Sequence, residues 1–121
     1  MYTSFGWLLC SKREEKQITL RKLAAMRGVS APFLSDVEKN RRNPPDLAKL
    51  NKIADILHLE DEEITEMLNL AGKGRNTIAP DLPAYIMERD YVSAALRTAR
   101  DMNAGEEEWK KFIEDLRRRK G

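Results

Sequence analysis

TLRKLAAMRGVSAPFLSDVEKNRRNPP, residues 19–45, places two short helical patterns on either side of a glycine and follows them with a basic loop ending in prolines. Thr19 has the chemistry of a helix N-cap, and Leu20, Leu23, Ala24 and Met26 fall at a spacing that puts them on one face. Arg27-Gly28-Val29 breaks the pattern, and Gly28 can take the left-handed backbone that a sharp reversal needs. Ser30 supplies a second N-cap, Pro32 lies in the first turn where a missing N–H goes unfelt, and Phe33, Leu34 and Val37 carry the apolar spacing on. Ala24 and Ala25 fall where two crossing helices need small side chains, and Val29 is placed to plug the angle between them. Asn40 stands where a left-handed residue should stop the second helix, and Arg41-Arg42-Asn43-Pro44 follows directly.

Helix, tight turn, second helix and basic exit is the layout of a helix-turn-helix, whose second helix enters a DNA groove. Periodicity alone does not single it out, because pairs of short amphipathic helices occur throughout helical proteins. The residues at fixed offsets do. Thr19-Leu20, Leu23-Ala24, Gly28-Val29-Ser30, Leu34-Ser35, Glu38, Asn40, Arg42 and Pro44 stand in order and without gaps over about 25 residues. This stretch resembles the XRE family of helix-turn-helix domains, the fold of Cro-type phage repressors. It departs from the family pattern at Asn40, where Gly is usual, and in its second proline, Pro45. The resemblance implies an all-α, five-helix, lambda-repressor-like DNA-binding bundle.

The whole chain bounds the reading further. Its 121 residues suit one domain, or a small domain with an appendage. Charged residues are 35% and hydrophobic residues 41%, a globular and well-solvated mixture. No apolar run approaches the roughly 20 residues of a membrane span, and no basic segment precedes an apolar one as in a signal peptide. Cys10 is the single cysteine and fits a small core residue in a cytoplasmic protein. His58 closes a helix where many relatives carry Gly, and without a neighbouring ligand it reads as structural rather than metal-binding. No nucleophile–base pair, metal-ligand cluster or phosphate-cradling loop is evident, so no enzyme, cofactor or metal is expected. The net charge of +2 hides a polarity: residues 10–52 hold eleven Lys and Arg against five acids, a balance of +6. Residues 53–66 hold six acids and no Lys or Arg. The basic part coincides with the helix-turn-helix pattern, as a footprint on a phosphate backbone requires.

A first helix is expected from near Ser4 to about Lys16, with Phe5, Leu8, Leu9 and Trp7 inward. Helices over 20–26 and 31–39 follow, then one opened by Pro44-Pro45-Asp46 with Leu47, Leu50, Ile53, Ala54 and Leu57 on one face. A fifth spans about 61–71, carrying Ile64, Met67, Leu68 and Ala71. The expected organisation is a DNA-binding domain over 1–72, a Gly-containing linker over 73–80, and a helical oligomerisation region over 81–121. In that region Leu82, Tyr85 and Ile86 suggest one short helix, and Tyr91 to Met102 another carrying Leu96. Asn103 with Glu106 reads as a capping pair for a last helix, where Trp109, Phe112, Ile113 and Leu116 form a stripe. Three short helices cannot bury that stripe alone, so Leu96, Trp109, Phe112, Ile113 and Leu116 are expected to pair with a second copy of the chain. This tail also resembles the C-terminal region of XRE-type repressors encoded beside ImmA/IrrE-type metallopeptidases, which implies a dimeric repressor and a metallopeptidase partner.

By the family resemblance, Ala31, Pro32, Phe33 and Asp36 face the groove of a double-stranded DNA operator. Ala31 and Phe33 suit thymine methyls and Asp36 a cytosine amino group, a set poor in bidentate donors. Thr19, Ser30, Ser35, Lys39, Arg41, Arg42 and Asn43 are implied as phosphate contacts, and Arg13 with Glu38 as a structural ion pair. The expected function is a sequence-specific, dimeric repressor on a palindromic operator. Two alternatives use the same module: an antitoxin-type autorepressor whose tail wraps a toxin, and an interaction module that has lost DNA binding.

Overall fold

Each of the first five helices begins on a side chain that answers its free N–H groups. Ser4, Thr19, Ser30 and Asp46 accept from the backbone N–H groups of Trp7, Lys22, Phe33 and Lys49 at 3.1–3.2 Å. At the fifth start Glu63 accepts from the Glu60 N–H at 2.8 Å, half of a reciprocal capping box. The computed structural model describes residues 2–120, with side-chain surroundings for 2–119. It contains α1 (Phe5–Glu15), α2 (Leu20–Arg27), α3 (Ala31–Glu38), α4 (Leu47–Ile56), α5 (Asp61–Gly74), α6 (Pro83–Met87), α7 (Asp90–Asp101) and α8 (Glu106–Lys120). Among the described residues there is no strand, and no helix is long and apolar enough to cross a membrane. Helix exits use left-handed backbone: Gln17, Gly28, Asn40, His58, Asn76 and Asn103 all have φ between 52° and 73°.

The chain separates into two units, one up to Pro83 and one from Ala84 on. In the first, α1 packs on both α3 and α5, α2 on α3 and α4. Leu8, Leu9, Leu23, Leu50, Ile53, Leu57 and Met67 are sealed from solvent, each worth about 1.5–3 kcal/mol relative to exposure. Three apolar residues expected inside lie outside, among them Ala25, which is exposed beside the buried Ala24. Trp7 is 48% exposed and meets Tyr2 edge-on at 5.3 Å, while Met26 is 43% exposed at the rim of α2. A helical stripe is wider than the contact line between two helices, and both sit at its edge. Part of the segment expected as linker is bound to this unit. Helix α5 runs through Gly74, the Thr77 N–H donates to Gly72 O at 2.8 Å, and Ala79 is buried. A Cβ on Gly72 would sit 2.5 Å from the Ile78 carbonyl, so this close return requires glycine.

In the second unit, Tyr85, Tyr91, Leu96, Trp109, Phe112 and Leu116 line an apolar groove of about 350 Å³. Trp109 and Phe112 meet edge to face at 5.9 Å. Asn103 does not cap α8: its φ of 57° makes it the left-handed exit of α7, and Glu108 instead accepts from the Gly105 N–H. Asn tolerates positive φ as readily as it caps, and here the first use wins.

Candidate nucleic-acid interface

Helices α2 and α3 meet across Gly28, whose φ of 73° turns the chain while the Val29 N–H donates to Ala24 O at 3.0 Å. Leu34 and Val37 anchor α3 in the core. Pro32, Phe33 and Asp36 are thereby left on its outer side, with Pro32 and Phe33 exposed and Asp36 half-buried, while Ala31, expected to face outward with them, is half-buried and packs partly against the core. Thr19 and Ser30 already accept a cap hydrogen bond, and each hydroxyl hydrogen remains to donate outward. Ser35 is half-buried; Lys39, Arg41, Arg42 and Asn43 are exposed.

The far end of α3 is held from behind by α1. Arg13 Nε and Nη2 donate to Glu38 Oε2 and Oε1 at 2.7 and 3.1 Å, and Arg13 Nη1 donates to Ile18 O at 2.9 Å. Only 12% and 8% of these two side chains is exposed. The bidentate geometry is that of a strong charge-assisted pair, and it holds the guanidinium above its ordinary pKa. Partial burial, with the Glu38 charge nearby, raises the thiol of Cys10, which is half-buried at the edge of the core.

Asn40 adds a second hold that residue-by-residue reading missed. Its φ is 61°, its Oδ1 accepts from the Gly6 N–H at 3.0 Å, and its Nδ2 donates to Ser4 Oγ at 3.0 Å. A glycine here would turn the chain equally well but leave the Gly6 donor unanswered. Gly6 in turn must lack a Cβ, which would lie 2.3 Å from Glu38 O. The other end of the basic loop is pinned by Arg75, whose Nε donates to Pro44 O at 2.8 Å. Residues 40–44 are thus tethered at both ends, to α1 and to the end of α5. Across the bundle, Lys12 pairs with Glu63. The Glu60 N–H, then the Lys12 ammonium, holds the Glu63 carboxyl below the usual carboxylate range, and Glu63 raises Lys12.

On the outer side the structure brings four site residues together. Asp36 Oδ2 lies 3.8 Å from Arg42 Nε and its Oδ1 3.9 Å from Arg41 Nη1. The Arg42 guanidinium sits 4.6 Å from the centre of the Phe33 ring. Asp36 and Phe33 therefore do not stand alone on the α3 face; a guanidinium is laid across them. The result is a short apolar and acidic helix face bordered by exposed cations, with hydroxyls at the starts of α2 and α3.

Residues 11–64 match the helix-turn-helix family. The chain is also 39% identical over 59 residues to the HTH-type transcriptional repressor RghR of Bacillus subtilis (strain 168), an alignment covering 49% of this chain and 44% of that protein. The match thus spans less than half the length of the curated relative. Among solved structures, a chain of a SinR protein/SinI protein complex aligns over 96% of this chain and 97% of its own length, at 20% identity and a TM-score of 0.47.

Proposed function

We propose that this chain is a DNA-binding transcriptional regulator, acting as a homodimeric repressor that lays α3 in the major groove of a palindromic operator. The observation that carries the reading is the basic loop 40–44, tethered at both ends and set beside the outer side of α3 within a segment that matches the helix-turn-helix family. A fixed loop presents its cations without the ordering loss that a free one suffers on binding. Thr19, Ser30, Ser35, Lys39, Arg41 and Asn43 take the phosphates, and Ala31, Pro32, Phe33 and Asp36 form the groove face.

The second unit supplies the dimer. Leu96, Trp109, Phe112, Ile113 and Leu116 are all exposed, and α8 begins with three glutamates and carries Arg117–Arg119 near its end. Two such helices packed antiparallel set each acidic start against a basic end, which parallel packing would not. A dimer of this kind reads half-sites about one helical turn, roughly 34 Å, apart. A toxin or metallopeptidase occupying the same apolar face would appear as a mixed complex in place of the dimer.

Selection of duplexes from random DNA, followed by binding measured across a salt series, tests the proposal. Enrichment of an inverted repeat with a steep salt slope is expected. No enrichment at low salt rules it out and leaves the interaction-module reading.

A further inference from the structure

The geometry points to Arg42 as a base-reading, specificity-determining residue, with Phe33 and Asp36 as the residues that position it. This inference rests on the DNA-binding reading above and assigns part of its specificity.

Major-groove base edges present mostly acceptors: guanine N7 and O6, adenine N7 and thymine O4. Ala31, Pro32 and Phe33 have no side-chain hydrogen-bond donor, and an ionised Asp36 only accepts. That face alone could address only the amino groups of cytosine or adenine, and it would bring a carboxylate toward a polyanion. The structure supplies the missing donor from outside the helix. After the left-handed turn at Asn40 the chain doubles back, and the Arg42 guanidinium lies over the Phe33 ring at 4.6 Å with its Nε turned to Asp36 at 3.8 Å.

Such a placement differs from that of a phosphate-seeking arginine. The aromatic ring beneath the guanidinium and the carboxylate beside Nε bias it toward one placement over the α3 face. Among the described residues Arg42 makes no hydrogen bond that meets ordinary geometry, and its side chain is 53% exposed. Its terminal Nη edge is therefore available as the two-pronged donor that matches guanine N7 and O6. Asp36 also offsets the charge that would otherwise draw this guanidinium to the nearest phosphate. Arg41, at 3.9 Å from the other Asp36 oxygen and 69% exposed, has no ring to lie on and keeps the backbone role.

The test uses the full chain, with Arg42→Lys, Phe33→Leu and Asp36→Asn, each carried through selection from random duplex DNA and then through affinity measurements on the selected site and its single-base variants. Wild type is expected to require guanine at one position of each half-site, by about ten- to a hundred-fold. Arg42→Lys keeps the charge but loses the planar fork, so the guanine preference collapses while the salt slope changes by less than one counterion. Phe33→Leu and Asp36→Asn weaken the preference at that same position and add little once Arg42 is lysine. The inference is overturned if Arg42→Lys leaves every base preference intact, or if Asp36→Asn alters a cytosine position that Arg42→Lys does not touch. Failure of wild type to enrich any duplex would remove the DNA reading itself, which is a different result from either.

Discussion

Replacing Glu38 with alanine leaves the Arg13 guanidinium with Ile18 O as its one remaining short backbone acceptor, at 2.9 Å. Two charge-assisted bonds are lost, each worth about 1.5–3 kcal/mol, and removing one partner of a buried pair costs about 3–5 kcal/mol. Arg13 keeps the Ile18 carbonyl and a weaker contact from Nη2 to Cys10 Sγ at 3.7 Å, and it is 12% exposed, so water can partly reach it and the low end applies. We expect Glu38→Ala to destabilise the first unit by about 3 kcal/mol, lowering its melting temperature by roughly 12–24 °C. Glu38→Gln retains one acceptor of the same shape and should lose about half as much. The double replacement Arg13→Met with Glu38→Leu should recover most of the loss, because a well-packed apolar pair can replace a buried ionic one. Urea unfolding in a Trp109→Phe background isolates the fluorescence of Trp7, which packs against Tyr2 within the same unit. A loss below about 1 kcal/mol for Glu38→Ala, or a double variant no better than the single, would refute the pair as a structural hold.

Asn40→Ala should cost about 2–3 kcal/mol, from two lost hydrogen bonds and left-handed strain, whereas Asn40→Gly should cost only about 1 kcal/mol; thermal melts distinguish them. Glu63 contributes stability that is present above the ordinary glutamate range and lost as pH falls through its lowered pKa, so Glu63→Gln should blunt the acid-side drop in stability below about pH 5. Lys12, raised by Glu63, adds a contribution lost only as pH rises past the ordinary lysine range, so neither change should alter the slope near neutrality. Phe112→Glu places a charge on the apolar face of α8. It should leave the helix content intact and shift sedimentation equilibrium from dimer to monomer. Arg41→Ala should weaken binding to all duplexes alike and reduce the salt slope by about one ion.

Helix order was legible because its signals are local. Ser4, Thr19, Ser30 and Asp46 each reach a donor three residues on, and Gly28 and Asn40 announce their own backbone. Depth was less legible: apolar spacing tells which arc of α1 and α2 faces inward, not that Trp7 and Met26 fall at its margin. Two of the long-range holds were not legible at all. Gly6 with Asn40 spans 34 positions and Pro44 with Arg75 spans 31, and nothing nearby marks either. Arg13 with Glu38 was reachable only through family resemblance, since any of several carboxylates would satisfy the composition. The contact of Arg42 with Phe33 and Asp36 is not legible from spacing, because the reversal at Asn40 that returns it to them lies between.

What seats α3 lies on its inner side, at its start or beyond its end, at Ala31, Leu34, Val37, Glu38 and Asn40. Its outer positions 32, 33 and 36 contribute little to the core. Under the DNA reading, mutation can then rewrite the specificity of this helix while the scaffold goes on folding as before. Descendants of a duplicated copy would be expected to drift apart at 32, 33 and 36 and to stay alike at 6, 13, 38 and 40. The substitutions needed to acquire a new operator are largely distinct from those that unfold the protein, which makes this a chain whose targets can evolve quickly.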